Sequence, residues 1–399
     1  MAREVVIIDG MRTAFGRMGG ALRPYTPVQL AGMTIKGLCE KTGILERGNV
    51  DAVFAGSASG DLNTHNFARY ASLLAGLPYE TSATFIEMQC GSSIACINNA
   101  ALQIQAGLID TAVCGGAEAH SQTYYKYSTA VEPYKGIAPS AAPLRLAPTD
   151  EDDLSMIEIS DLMAEKWGIT REACDEFALR SQTRAAAAIE KGYFKEEILP
   201  VEVKYSRKGE TVIVDADEHP RKNTNLEGLA KLRPVMEGGV TTAGNASGRN
   251  DGAAFVLMMS REKAEELGYQ PMAKWITGLD VGVDPKLMGI GPAYSNCKIL
   301  KREGLSLDDI DVYECNEAFA AQNLSVIRQM ENMTGKKIDM ENWNPNGGAI
   351  AFGHPNGASG ARVCIFTMKE LERRGGKYGM FSSCCGGGLG ISTLIENLR

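Results

Sequence analysis

The chain has 399 residues, 44% of them hydrophobic and 23% charged, so it can bury a large core, and its length suggests two or three domains. The formal net charge of −8 argues against nucleic acid or an anionic membrane as the main partner, since either would favour a basic face. No stretch approaches 18 consecutive apolar residues, so the sequence predicts no membrane-spanning helix.

The first residues, MAREVVIIDG, lead directly into an apolar, strand-like run without the regions of a secretion signal. We therefore expect a cytoplasmic protein. Ten cysteines in a chain of this kind are expected to be free thiols rather than a disulfide framework. Most of them should be inert core residues.

Short apolar runs alternate along the chain with longer segments of helical period, which predicts layered α/β structure rather than an all-β sandwich. In CGSSIACINNAALQIQAGL, apolar residues step by three and four and predict a buried helix that begins beside Cys90. These residues are Ile94, Ile97, Ala101, Ile104 and Leu108. The runs that indicate strands are EVVIID, DAVFAG, DTAVCGGA, DVYECNEA and GMFSSC.

Two parts of the chain repeat one order of elements, which suggests duplicated halves; chance similarity between α/β units is the alternative. DAVFAGSA precedes the helix near Cys90, DIDVYECNEA precedes ASGARVCIFTMKELERRGG, and an apolar strand with glycines follows each helix. Between them the composition changes to charged helices and basic, turn-rich stretches. We predict an N-terminal half over 1–120 plus 248–272, an inserted domain over 121–247 and a C-terminal half over 273–399.

Cys90 is the first candidate for chemistry. It follows ATFIEMQ and opens the predicted helix, so its sulfur should lie near helical N–H groups and the positive end of the dipole, which would lower the pKa of the thiol. The alternative is a small buried residue at a turn between a strand and a helix.

Two further candidates stand in glycine-rich or strand-end segments. His354 lies in NPNGGAIAFGHPNGASG, where glycines indicate a close approach of the backbone to another group. Asn316 follows the strand-like DIDVY in ECNEAFA. Their ordinary interpretations are a structural histidine and a helix cap.

CCGGG, from Cys384 to Gly388, is either a buried sulfur pair at a strand end or a reactive thiol beside glycine N–H groups. With Cys90 and His354 it sets thiols and an imidazole at strand ends, where α/β sheets place active sites, and this combination suits acyl transfer to cysteine. A metal site is less attractive, since there are only four histidines, no HExxH and no paired CxxC.

Six motifs in order make the sequence resemble the thiolase family, the acetyl-CoA acetyltransferases and 3-ketoacyl-CoA thiolases. The resemblance covers nearly the whole chain. It implies two similar α/β halves in a five-layer αβαβα arrangement with an inserted loop domain that helps to bind coenzyme A. The motifs are RTAFGRMGG, QCGSS, GGVTTAGNASGRNDGAA, ECNEAFA, NPNGGAIAFGHPNGASGAR and CCGGGLG.

The resemblance also implies roles for individual residues. Cys90 resembles the nucleophile that takes the acyl group, and His354 resembles its activating base. Cys384 resembles the second cysteine, which exchanges the α-proton of acetyl-CoA. Asn316 resembles the residue that holds a catalytic water opposite His354 in one oxyanion hole, and the N–H groups of Cys90 and Gly386 resemble the other.

For the ligand, Ser247 and Arg221 resemble positions near the pantetheine arm and the adenine end of coenzyme A. No metal or redox cofactor is implied, because coenzyme A enters as a substrate. The resemblance implies a homodimer or a dimer of dimers. A polyanionic ligand on an acidic protein needs local cations, for which the candidates are Arg221, Lys222, Lys231, Arg233 and Arg249.

The sequence departs from the family in the loop domain. SMIEISDL, Ser155 to Leu162, stands where short-chain biosynthetic members have a His-Met-Gly-Thr-Thr-Ala-Glu-Asn segment, so the preferred acyl length stays open. Ala14 replaces a common proline, and Cys385 replaces the usual apolar residue.

We predict a thiolase that catalyses reversible Claisen condensation, of two acetyl-CoA to acetoacetyl-CoA and CoA, or thiolysis of 3-ketoacyl-CoA, through an acyl-cysteine. The alternatives are a non-catalytic protein of the same fold that binds acyl-CoA or lipid, and a decarboxylating ketoacyl synthase. The complete set of two cysteines, histidine and asparagine favours the thiolase.

Overall fold

The computed structural model describes residues 3–128, 134–136, 138–142, 144–205 and 209–399. Strands are found at nearly every apolar run that the sequence marks. The strands are β1 Val5–Thr13, β2 Gly16–Arg17, β3 Ala52–Gly56, β4 Ser82–Ile86, β5 Thr111–Ala119, β6 Tyr127–Ser128, β7 Ser140–Ala141, β8 Ile198–Leu199, β9 Val201–Lys204, β10 Thr211–Val214, β11 Asn250–Ser260, β12 Ala273–Gly282, β13 Val312–Cys315, β14 Tyr378–Cys385 and β15 Leu389–Asn397.

Many helices begin and end at residues whose chemistry favours a helix boundary. Thr26 and Gln29 form a capping box at the start of α1, and Gly43, with φ 64°, ends it in the left-handed conformation. The helices are α1 Pro27–Thr42, α2 Ile44–Arg47, α3 Phe67–Leu74, α4 Ser92–Gln105, α5 Met156–Trp167, α6 Arg171–Glu190, α7 Leu226–Ala230, α8 Arg261–Glu266, α9 Gly291–Glu303, α10 Ala320–Thr334, α11 Ala349–Phe352 and α12 Asn356–Arg374.

One hydrogen-bonded sheet runs through the molecule in the order β13-β14-β15-β12-β1-β11-β5-β3-β4. The two ends of this order repeat one pattern. At one end, β3 pairs in parallel with β5, and β5–β11 and β11–β1 are antiparallel pairs. At the other end, β13 pairs in parallel with β14, and β14–β15 and β15–β12 are antiparallel pairs. Strands β1 and β12 join the two ends. This repeat supports duplicated halves.

Helices α4 and α12 form the central layer, packing on each other and on strands of both halves. Helix α12 is buried along its length from Gly357 to Leu371 because strands or helices cover every side of it. Its small residues allow this, since a Cβ on Gly360 would lie 2.6 Å from Ile94 Cγ1 on α4. Helices α1 and α3 cover the N-terminal half and α9 and α10 the C-terminal half, which gives five αβαβα layers.

The predicted buried stripe of α4 is confirmed at four positions and wrong at Leu108. Ile94, Ile97, Ala101 and Ile104 are fully buried, whereas Leu108 is 73% exposed. The helix ends at Gln105, so Leu108 no longer follows the helical face.

The segment 121–247 packs on both halves. Helices α5 and α6 contact α10, and β8 pairs with β1. Apolar side chains of α5 share a cluster with the C-terminal half, among them Ile159 and Met163. The predicted division at 120, 247 and 272 stays a prediction.

Candidate active site

Cys90 lies in the buried connection between β4 and α4, on a 3₁₀ turn over Gln89–Gly91. Gln89 has φ 49°, an uncommon conformation for a residue with a Cβ. Burial, followed by the Glu118 carboxylate, raises the pKa of Cys90 to about 12. The predicted lowering of this pKa is wrong in its net direction, because burial raises the pKa more than the Cys90 N–H and the Asn356 amide lower it.

The hydrogen bond to the Cys90 sulfur comes from Asn356, the first residue of α12, whose Nδ2 donates over 3.5 Å. In the ranges that the structure describes, no hydrogen bond joins this sulfur to His354, two residues before Asn356. From β14, the Ser383 hydroxyl donates to the Cys90 carbonyl over 3.4 Å. Elements of the C-terminal half therefore hold the Cys90 turn from two sides.

His354 is fixed by contacts at both ring nitrogens. Nε2 lies 3.3 Å from Asn316 Nδ2, and Nδ1 lies 2.6 Å from Ser359 Oγ. Because an amide NH₂ donates, Nε2 accepts in this arrangement and Nδ1 carries the proton. Burial, followed by His120 and Arg362, lowers the pKa of His354 to about 3, so the imidazole is neutral at pH 7.

Asn316 directly follows β13, and its N–H donates to the Ser382 carbonyl on β14 over 2.9 Å. Its side-chain Oδ1 is buried and has no partner among the described residues. This carbonyl oxygen beside His354 is free to accept a hydrogen bond from a bound molecule.

Cys384 and Cys385 are both fully buried at the end of β14. As expected for neighbours in a strand, they pack in different apolar clusters. Burial, followed by the Cys90 thiol, raises the pKa of each well above its ordinary value. Both sulfurs therefore lie near Cys90.

The two sulfurs differ in their partners. Cys385 donates to the Ser383 carbonyl over 3.9 Å and receives the Gly91 N–H, and a Cβ on Gly91 would collide with its sulfur. Cys384 lies in the apolar cluster that contains Cys315, and no side chain in the described ranges donates a hydrogen bond to its sulfur. Cys385 is thus tied into the Cys90 turn, whereas the Cys384 sulfur is not.

Gly386 brings the glycine loop against the Cys90 turn. A Cβ there would lie 3.0 Å from Leu146 Cδ2 and 3.3 Å from Gln89 Cγ. Gly387 and Gly388 have φ near 90°, which residues with a side chain rarely adopt. The loop therefore requires glycine to approach Cys90 this closely.

The two candidate CoA contacts lie in different places. Ser247 donates its N–H to the Ala318 carbonyl over 3.0 Å, and its neighbour Gly248 accepts from the His354 N–H over 3.1 Å, so Ser247 borders the catalytic candidates. Arg221 lines a separate cavity of about 180 Å³.

A second cavity, of about 460 Å³, is lined by Arg249, which the sequence analysis named as a candidate cation, and by Asn356, His120 and Glu118, which it did not single out. Asn356 lines it and contacts Cys90, His120 contacts Asn356, and Arg249 contacts His120. Glu118 forms part of its floor and accepts N–H groups from both halves. A signal existed for His120, since it is one of four histidines and directly follows a strand-like apolar run.

The described residues contain no group of three or more His, Cys, Asp or Glu that could hold a metal ion. None of the described helices is long and apolar enough to cross a membrane.

Two similar α/β halves hold neighbouring buried thiols, Cys90 and Cys384, and a buried imidazole, His354, which are the side chains that a cysteine-dependent acyltransferase uses. Residues 5–262 match the model of the thiolase N-terminal domain, and residues 269–397 match that of the thiolase C-terminal domain. The chain therefore belongs to the thiolase family, whose fold and enzyme class the sequence predicted.

Relatives and solved structures agree over full length. The chain is 42% identical to the beta-ketoadipyl-CoA thiolase of Acinetobacter baylyi, over 99% of this chain and all of that protein. It is 40% identical to the acetyl-CoA acetyltransferase of Syntrophomonas wolfei, over all of both chains. The crystal structure of the Bacillus anthracis acetyl-CoA acetyltransferase superimposes with a TM-score of 0.92 at 40% identity, covering 100% of this chain and 99% of that one. The non-catalytic alternative is not favoured.

Proposed function

We propose that the enzyme catalyses reversible Claisen condensation of acyl-CoA, or thiolysis of 3-ketoacyl-CoA, through an acyl group on Cys90. One observation carries this proposal. Buried Cys90 of the N-terminal half lies near the Cys384 thiol of the C-terminal half, and it contacts Asn356, two residues after the buried His354, whose ring contacts Asn316. Two thiols and a neutral imidazole are the groups that a two-stage acyl transfer requires.

In the first stage, neutral His354 takes the proton of the Cys90 thiol. The thiolate attacks the thioester carbonyl, and the leaving CoA thiolate receives that proton from the imidazolium, which leaves the acyl group on Cys90. Because the site is buried, the thiolate and the imidazolium stabilise each other strongly while both are charged. This pairing offsets the unfavourable pKa of each isolated group.

In the second stage, neutral His354 takes the proton of the Cys384 thiol, and the resulting thiolate removes the α-proton of a second acyl-CoA, whose carbanion attacks the acyl-Cys90 carbonyl. The His354 imidazolium and the water held by Asn316 stabilise the enolate oxygen, and the N–H groups of Cys90 and Gly386 stabilise the tetrahedral oxyanion. Collapse of this intermediate breaks the C–S bond to Cys90, and the Cys90 thiolate takes the proton from His354. The Cys384 sulfur contacts its own backbone N–H, whereas the Cys385 sulfur is bonded to the Gly91 N–H of the Cys90 turn and to the Ser383 carbonyl, and this difference supports the assignment.

Coenzyme A enters as a substrate, with Ser247 at the pantetheine arm and Arg221 at the adenine end, and no resident cofactor takes part. The names of the relatives suggest acetyl-CoA and 3-ketoacyl-CoA as substrates. We further propose a homodimer or homotetramer. The exposed edge strand β4 supports an interface of this kind. A cytoplasmic location stays a prediction.

The acyl-enzyme is the direct test. Brief exposure to acetyl-CoA should add one acetyl group, found on Cys90 by peptide mass spectrometry, and initial rates should follow ping-pong kinetics. Cys90→Ala should carry no acetyl group, whereas Cys297→Ala, which changes a buried thiol on α9, should be acetylated like the parent. Acetylation of another cysteine, or none at all, would refute the nucleophile assignment.

A further inference from the structure

Three side chains connect the surface of the 460 Å³ cavity to the Cys90 sulfur. Arg249 Nη2 lies 3.3 Å from His120 Nδ1, and His120 Nε2 lies 3.0 Å from Asn356 Oδ1. Asn356 Nδ2 then lies 3.5 Å from the Cys90 sulfur. Arg249 is exposed, while His120 and Asn356 are half-buried, so the series runs from solvent to the candidate nucleophile.

The chemistry of the first residue fixes the direction of every hydrogen bond in this series. A guanidinium can only donate, so the Nδ1 of a neutral His120 must accept, and its proton lies on Nε2. That N–H donates to the Asn356 carbonyl oxygen, and the amide must then turn its NH₂ towards Cys90. An unconstrained amide could present either its oxygen or its nitrogen to the sulfur.

We propose that Arg249, His120 and Asn356 form a directed hydrogen-bond relay that stabilises the thiolate of Cys90. Asn356 touches the reacting sulfur, so it is a catalytic residue on the proposed function. His120 and Arg249 are positioning residues that hold the amide in its donating orientation. No other side chain in the described ranges donates to this sulfur.

The other groups around Cys90 are anionic or apolar and disfavour its thiolate. Glu118 on β5 and Glu87 before the turn raise the pKa of Cys90, and the thiols of Cys384 and Cys385 on β14 face it as well. His354 is neutral and provides no charge before substrate arrives. The Asn356 N–H lowers the pKa of Cys90 within this setting.

The test is the rate at which iodoacetamide alkylates Cys90 in the intact enzyme between pH 7.5 and 9.5, followed by peptide mass spectrometry. Far below the thiol pKa, this rate is proportional to the thiolate fraction. A hydrogen bond to an ionised group corresponds to about a 10- to 100-fold change, so Asn356→Leu should slow alkylation by that factor at every pH. Arg249→Met and His120→Phe should slow it on the order of threefold or more.

A second comparison separates the relay from simple charge and from misfolding. In the Asn356→Leu background, Arg249→Met should have no further effect, since its influence passes through the amide. The Arg249→Met effect should persist in about 1 M salt, which screens an exposed charge. Asn99→Leu, at an exposed position of α4, and His65→Phe, in an exposed loop, are matched controls that should alkylate like the parent.

Parent-like alkylation in Arg249→Met and His120→Phe would overturn the relay, as would additive effects in the double variant or loss of the effect in high salt. If Asn356→Leu does not fold, Arg249→Met still tests the relay, because Arg249 is exposed and its replacement should not disturb folding. The proposed function has a separate test. Acetylation at another residue would refute Cys90 as the nucleophile, whatever the rate at which iodoacetamide alkylates Cys90.

Discussion

Cys384 and Cys385 are adjacent, equally buried and both close to Cys90, yet their hydrogen bonds differ. The Cys385 sulfur is bonded to the Ser383 carbonyl and the Gly91 N–H, and Gly91 has no space for a Cβ beside it. A thiol held in this way supports the backbone of the Cys90 turn. The Cys384 sulfur contacts its own backbone N–H and no group of the Cys90 turn among the hydrogen bonds of the described residues, which leaves it available for proton transfer.

Replacing each cysteine by alanine should separate these roles. Cys384→Ala should lower the condensation rate by about 10²- to 10⁴-fold, the usual contribution of a general acid–base group, while acetylation of Cys90 persists. Cys385→Ala should keep most of the turnover and lower the free energy of unfolding by about 1 kcal/mol. Condensation rates and thermal unfolding of both variants check this. An inactive Cys385→Ala beside a Cys384→Ala of parental rate would reverse the assignment.

At the residue scale, short motifs in the sequence singled out the cysteines, His354 and Asn316 as candidates. Cys90, Asn316 and Cys384 stand at strand ends as expected, whereas His354 lies in the loop between α11 and α12. The sequence reasoning missed the contact of Asn356 with Cys90, since these residues are far apart in the chain and meet only when α12 packs on α4. The predicted pKa of Cys90 had the wrong sign for a related reason. A motif shows a helix end, but burial depends on every element packed around it.

At the scale of single elements, α5 contains the segment whose sequence differs from that of the short-chain biosynthetic members of the family. Ser155 and Glu158 form a capping box at its start, so Ser155–Leu162 is the first part of a regular helix. Asp161 accepts N–H groups from Val240 and Thr241, which lead towards Ser247. The segment therefore supports the loop that borders the catalytic candidates.

Because the short-chain segment is replaced, the enzyme should accept 3-ketoacyl chains longer than four carbons. The value of kcat/KM for the six-carbon substrate should lie within about a thousandfold of that for acetoacetyl-CoA, a difference below about 4 kcal/mol. Thiolysis rates with CoA and each substrate provide the comparison. A larger preference for the four-carbon substrate would show that a different feature enforces short chains.

Hydrophobic periodicity and the positions of glycines predicted which segments are helices and which are strands. They did not predict the residues at which these elements end. Leu108 continues the apolar spacing of α4 in the sequence, yet the helix ends three residues earlier. The pairing of β1 with β12, which joins the halves into one sheet, has no local signal because it links Val5–Ile7 to Ala273–Trp275. Duplication could be predicted because it repeats in order along the chain.

The whole molecule should lose stability in acid partly through His354. Its pKa is about 3 when folded, against the ordinary value of 6.5, so below pH 6.5 the unfolded chain binds a proton that the folded chain excludes. Stability is therefore lost as the pH falls from about 6.5 towards 3. Between pH 7.5 and 5, the free energy of unfolding of the parent should fall by about 2 kcal/mol more than that of His354→Gln.

Urea unfolding at the two pH values measures this difference. His65→Gln, at an exposed position, is the matched control and should follow the parent. If His354→Gln loses as much stability as the parent over this interval, the buried imidazole is not the source of the acid sensitivity.

All ten cysteines are buried free thiols, and burial raises the pKa of the three around the candidate site. Oxidants and alkylating agents attack thiolates far faster than thiols, so the resting molecule offers them almost no target. Its nucleophile becomes far more reactive when a substrate occupies the site and proton transfer to His354 is favourable. Burial of the site thus protects the thiols of this cysteine-rich enzyme from oxidation and alkylation between turnovers.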